Sequence, residues 1–129
     1  NLVILEEACR HDSLSMLTQA IATFDDDNPW LAKAKNLLAN GSALATLMIY
    51  EQLKRHRYVD LQSAFKSELV LMTNMVRYPD FAEGVRALLI DKDKQPKWVF
   101  EQVSQVPCTL LESFFTPPWE VNPLEAVLN

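Results

Sequence analysis

The chain has 129 residues with 12 Lys and Arg against 17 Asp and Glu, a net charge of −5, and is 49% hydrophobic. That length and apolar content suffice for one core and exclude a disordered chain, while the acidic balance excludes a general attraction to nucleic acid or to an anionic membrane, so neither is expected as a partner. Two glycines only, Gly41 and Gly84, exclude a glycine-rich phosphate cradle or an oxyanion hole lined by loop amides within this chain.

The chain begins at Asn1 and runs directly into the apolar Leu2 to Leu5. A fragment or a processed product is the expectation, with any targeting signal upstream. No apolar stretch reaches the ~20 residues needed to span a bilayer, and the segment reads as soluble. Cys9 and Cys108 lack metal or redox spacing and are expected as reduced, partly buried thiols.

Leu14, Leu17, Ile21 and Phe24 recur at intervals of three and four behind Asp12 or Ser13 as cap, which predicts a first helix over about Ser13 to Thr23. The acidic run of Asp25, Asp26 and Asp27 reads as a solvated loop before a helix start rather than a metal site, because Asn28 and Pro29 form a cap and first-turn pair. A second helix covers about Pro29 to Ala39, with Leu31, Ala34, Leu37 and Leu38 inward, and stops at Asn40-Gly41. Ser42 caps a third, apolar nearly all round from Ala43 to Tyr50, which implies burial on more than one side and against a domain outside this chain. Its exit, Lys54, Arg55, His56 and Arg57, reads as ordinary cations at a helix C-terminus.

Asp60 caps a fourth helix whose stripe of Leu61, Phe65, Leu69, Met72 and Val76 is the clearest amphipathic pattern in the chain. Glu68 beside it has no second carboxylate, His or nucleophile at readable spacing. It is expected in a buried or interfacial ion pair with Arg77 or Arg86. A fifth helix over Asp80 to Leu89 starts with Asp80 and Glu83 as a capping box after Pro79, and places Phe81, Val85, Leu88 and Leu89 on one face. The charged turn Asp91-Lys92-Asp93-Lys94 follows and ends at Pro96 and Trp98, the tryptophan pinning the turn to the core. A short amphipathic piece with Val99, Phe100 and Val103 and another from Pro107 to Phe115 come next. Pro117, Pro118 and Pro123 keep a tail over 116–129 extended, with Trp119 and Val121 on a surface groove of this or a neighbouring subunit. No strand alternation and no repeat is visible. One all-α segment of five to seven helices, covering 1–129, is expected.

The nineteen residues DFAEGVRALLIDKDKQPKW, Asp80 to Trp98, closely resemble the C-terminal signature of 3-hydroxyisobutyryl-CoA hydrolases, a branch of the enoyl-CoA hydratase/isomerase (crotonase) superfamily. Tyr50-Glu51-Gln52-Leu53-Lys54-Arg55 and the helix around Glu68 also look like that family. Its usual Ser-Pro-Thr-Ser is here Gly41-Ser42-Ala43-Leu44, without the proline. The resemblance, over about Cys9 to Trp98, implies the C-terminal helical part of a crotonase-fold enzyme that cleaves a 3-hydroxyisobutyryl-CoA thioester in valine breakdown. In that case the β/α core, with the catalytic carboxylates, is absent here, so no catalytic residue is expected in this chain and the fragment alone is inactive. By the same resemblance Lys92 and Lys94, with Arg86 behind them, are the candidates for the phosphate and adenine end of CoA.

No metal and no resident cofactor are implied, since CoA enters with the substrate. The implied partners are the enzyme's own N-terminal core, the acyl-CoA and further copies in a homo-oligomer. The implied compartment is the cytoplasm, or the mitochondrial matrix in a eukaryote. Hydration or isomerisation of enoyl-CoA within the same superfamily, and a stand-alone helical interaction module, are the alternatives.

Overall fold

The computed structural model describes residues 3, 4, 6, 13–25 and 27–128, and among these it is all-helical. Cys9, Asp12 and Asp26 lie outside the described residues. Four helices begin where short polar side chains can satisfy the free amides of a first turn. Ser13 accepts from the Met16 N–H ahead of α1 (Leu14–Ala22), and Asn28 accepts from Trp30 and Leu31 ahead of α2 (Pro29–Asn40). Ser42 accepts from Ala45 ahead of α3 (Ala43–Arg55), and Asp60 from Ser63 ahead of α4 (Leu61–Met75). The stop after α2 is tight for a side chain: a Cβ on Gly41, whose own φ is −78°, would meet the Leu37 carbonyl oxygen at 3.0 Å.

α5 (Pro79–Val85) departs from the expected start. Its cap position is Tyr78 and Pro79 is its first residue, so Asp80 lies inside the helix and caps nothing. The helix then widens into a π turn over Arg86–Ile90, closed by the Asp91 N–H on the Arg86 carbonyl at 2.8 Å. The extra residue per turn rotates the side chains away from a 3.6-residue register. Ala87 is the buried residue of that turn, while Leu88, Leu89 and Ile90 face outward. A 3-10 turn (Val103–Gln105) replaces the short amphipathic piece expected near Val99; Phe100 reaches the core but Val99 is exposed. α6 (Cys108–Phe115) follows, and the tail, expected to be extended throughout, closes with one helical turn, α7 (Glu125–Leu128).

The core lies between α3, α4 and α6. Leu44 and Met48 meet Leu71, Val106, Leu111 and Phe114, with Tyr78 edge-on to Phe114 at 5.2 Å between ring centres. A smaller cluster joins α1 to α2 through Phe24 and Leu31. Asn74 of α4 ties the end of α6 by donating to the carbonyls of Ser113 (3.3 Å), Phe114 (2.9 Å) and Thr116 (3.0 Å). The tail lies on the first half of α4: Gln62 donates to the Leu128 carbonyl at 2.7 Å, Asn122 to the Lys66 carbonyl at 3.1 Å, and Lys66 pairs with Glu125.

The long stripe of α4 is not the face that enters this core. Val70 and Leu71 are buried, while Leu61 (70%), Phe65 (48%), Met72 (52%) and Val76 (47%) are exposed. Leu37, Phe81, Leu88 and Leu89, also expected inward, are exposed as well. α4 carries two apolar faces, and periodicity identifies a face without naming what covers it.

Candidate functional site

The charged turn after α5 is assembled from both ends. At its base Asp80 is turned inward and is 3% exposed. One carboxylate oxygen accepts the Ser42 hydroxyl at 2.6 Å and the other the Val99 N–H at 2.9 Å, so the carboxylate joins the start of α3 to the segment leaving the turn. Such charge-assisted bonds satisfy a carboxylate that burial would otherwise penalise. Burial, and then the Asp80 charge, raise the pKa of the neighbouring Tyr78. Trp98 closes the same corner: its indole N–H donates to the Asn40 carbonyl at 2.9 Å, and its ring lies where a Cβ on Gly84 would be 3.3 Å away. The tryptophan therefore pins the turn as expected, and the glycine makes room for it.

Arg86 is the centre of the turn. Its Nε and Nη2 form a two-pronged pair with Glu83 at 2.9 and 2.7 Å, and Nη1 bonds Asp91 at 2.6 Å and Asp93 at 2.7 Å. Nη2 also reaches the Gln95 carbonyl at 3.3 Å. The chain returns along the same carboxylate, because the Lys97 N–H donates to Glu83 at 2.7 Å. The Arg86 bond first, and the Lys97 amide second, hold the Glu83 carboxyl at about 2. Asp93 is lowered by Arg86 and then by the Gln95 amide, and Arg86 is itself raised, by Glu83 above all.

Within this frame Lys92 and Lys94 both take left-handed backbone with φ 56°. The Lys94 N–H donates to the Ala87 carbonyl at 3.0 Å and the Gln95 N–H to Asp93 at 2.8 Å. Both lysines are exposed, and among the described residues neither side chain has an ion-pair or hydrogen-bond partner. Two ammonium groups beside carboxylates already committed to Arg86 can act as point charges toward a phosphate.

The other candidates resolve as packing. Arg55 pairs with Glu51 and Glu112 and lies 4.0 Å over the Phe115 ring, Lys54 lies 3.6 Å from Glu51, and Arg57 stacks on Tyr58. Glu68 is exposed and accepts from Gln52 at 3.3 Å; neither Arg77 nor Arg86 pairs with it, because the guanidinium of Arg86 is engaged elsewhere. Cys108 is exposed rather than partly buried. Among the described residues no cluster of His, Cys, Asp or Glu could hold a metal, and no helix is long and apolar enough to cross a membrane. A cleft of ≈370 Å³ between α1, α2, α3 and the 3-10 turn, lined in part by Thr18, Gln19, Lys35, Thr46 and Gln102, carries no sequence signal, since residues from four separate elements form it.

The family model described as enoyl-CoA hydratase/isomerase matches residues 2–115. The mitochondrial 3-hydroxyisobutyryl-CoA hydrolase of Dictyostelium discoideum is 33% identical over 93 residues, 71% of this chain and 24% of that protein. The enzyme of the same name from Gallus gallus is 32% identical over 71% of this chain and 24% of its own length. A crystal structure of an enoyl-CoA hydratase from Rhodobacter sphaeroides 2.4.1 superposes with a TM-score of 0.76 at 27% identity, covering 91% of this chain and 35% of that one. The chain thus spans about a quarter of the length of these two hydrolases. With the family model matched over most of its length and these relatives alongside, the chain belongs to the enoyl-CoA hydratase/isomerase family.

Proposed function

We propose that this chain is the C-terminal helical part of a 3-hydroxyisobutyryl-CoA hydrolase-like enzyme, a single segment over 1–129. The observation that carries the reading is the identity with hydrolases of that name over 71% of this chain. The catalytic carboxylates and oxyanion hole lie in a β/α core elsewhere in the polypeptide, and the helices cover the CoA cleft and help assemble a homo-oligomer. Lys92 and Lys94 contact the phosphates of CoA with Arg86 behind them. No resident cofactor is required, and nucleic acid and membrane are not partners. The mitochondrial names of the relatives support a matrix location in a eukaryote, and a bacterial enzyme would be cytoplasmic.

The test is thioester hydrolysis by the full-length protein. Turnover of 3-hydroxyisobutyryl-CoA that disappears when the core carboxylates are removed is the expected result, and residues 1–129 alone should show none. Reversing Lys92 and Lys94 to Glu should weaken CoA binding; unchanged affinity removes their role. The likeness to an enoyl-CoA hydratase structure favours a second reading, hydration or isomerisation of enoyl-CoA. Loss of the conjugated enoyl absorbance from a 2-enoyl-CoA, or its gain from a 3-enoyl-CoA, without release of free CoA would select hydration or isomerisation respectively. A protein without either activity would leave the helical interaction module, to which the exposed apolar stripe of α4 is suited.

A further inference from the structure

Arginine offers five N–H donors, and in Arg86 every one has a partner. Nε and one Nη2 hydrogen go to Glu83, the second Nη2 hydrogen to the Gln95 carbonyl, and the Nη1 pair to Asp91 and Asp93. None remains for a ligand. Lys92 and Lys94, by contrast, have free ammonium groups on a backbone that L-residues seldom adopt unless their surroundings over-determine it. The surroundings here do so. Asp91 and Asp93, the sequence neighbours of Lys92, are both drawn to one guanidinium nitrogen, and the amides of Lys94, Gln95 and Lys97 are fixed on Ala87, Asp93 and Glu83.

Resting on the phosphate reading given above, we propose that Arg86 is the positioning residue of this turn, holding Asp91 and Asp93 away from Lys92 and Lys94 so that both ammonium groups stay available to an anionic ligand. Without Arg86, two carboxylates adjacent in sequence compete with the ligand for the same lysines. The loss therefore exceeds the removal of one buttressing charge, and it travels through Lys92 and Lys94 alone.

The experiment is a thermodynamic cycle in the full-length protein, with CoA as the titrant. Lys92→Ala/Lys94→Ala and Arg86→Gln should each weaken CoA binding, the latter by about fivefold to tenfold, and the triple variant should be no weaker than the lysine pair. Adding Asp91→Asn and Asp93→Asn to Arg86→Gln should recover most of the affinity. An Arg86→Gln loss of the same size with and without the lysines overturns the proposal. If the lysine variant binds CoA normally, the phosphate reading falls, and tryptic cleavage after Lys92 and Lys94 decides the positioning separately. Faster cleavage in Arg86→Gln supports it, and an unchanged rate overturns it.

Discussion

Ser42 and Asp80, 38 positions apart, share a buried hydrogen bond of 2.6 Å in which the hydroxyl that caps α3 also donates to the carboxylate inside α5. The serine thus accepts from its own helix and donates to another, and the aspartate passes the connection on to Val99. Three segments meet on one carboxylate.

Removing it should be costly. Asp80→Ala strands the Ser42 hydroxyl and the Val99 amide, and a loss of about 2–4 kcal/mol in urea unfolding is expected. Ser42→Ala removes a cap and a bond to a charged acceptor and should cost about 1–3 kcal/mol. The double variant should cost clearly less than the two losses added together, because the residues share one interaction. Additive losses would mean that the bond contributes nothing.

Acid should weaken the charged turn. The folded-state pKa of Glu83 lies at about 2 against an ordinary 4.5, so its contribution is fully present above about 4.5 and is lost as pH falls toward about 2. Asp93 and Asp60, also lowered, act in the same direction. Glu83→Gln should flatten the acid limb of a plot of Tm against pH in that window. An unchanged limb would assign the acid sensitivity to other carboxylates.

Gly84→Ala places opposing effects at one atom. A helix gains about 1 kcal/mol from alanine over glycine, yet the new Cβ lies 3.3 Å from the ring of Trp98, which is held by its bond to Asn40. We expect net destabilisation and an altered tryptophan emission. Adding Trp98→Phe should relieve the crowding and allow the propensity gain to appear. A more stable Gly84→Ala single variant would show that the indole yields freely.

The two faces of α4 should behave oppositely in this chain. Leu71→Ala, in the core, should cost about 2–5 kcal/mol. Phe65→Gln and Met72→Gln, on the exposed stripe, should change stability by no more than about 0.5 kcal/mol, while reducing self-association measured by sedimentation. A large stability loss from the stripe variants would place that face inside the core after all.

What was legible in the sequence and what was not divides by distance along the chain. The caps at Ser13, Asn28, Ser42 and Asp60 act on amides two or three positions away, and local rules find them. Asp80 matches the same local rule, but Pro79 takes the first helical position and the carboxylate's partners lie 38 and 19 residues distant, which no local pattern reveals. The stripe of α4 was visible as a stripe; its outward direction depends on which of two apolar faces α6 meets. The charged turn was found as a sequence, with Trp98 as its pin. The closure of all five Arg86 donors, the π turn and the left-handed lysines carry no glycine or asparagine to announce them, because long-range bonds impose that backbone.

Asn74 has a consequence for where variation can be absorbed. Its amide gathers the carbonyls of Ser113, Phe114 and Thr116 at the end of α6, so that end is held by another helix in addition to the extended backbone that Pro117 favours at Thr116. Residues added or lost between Thr116 and Asn122 can therefore be accommodated as loop while the helix keeps its length. A change at position 74 would instead be felt 40 residues away.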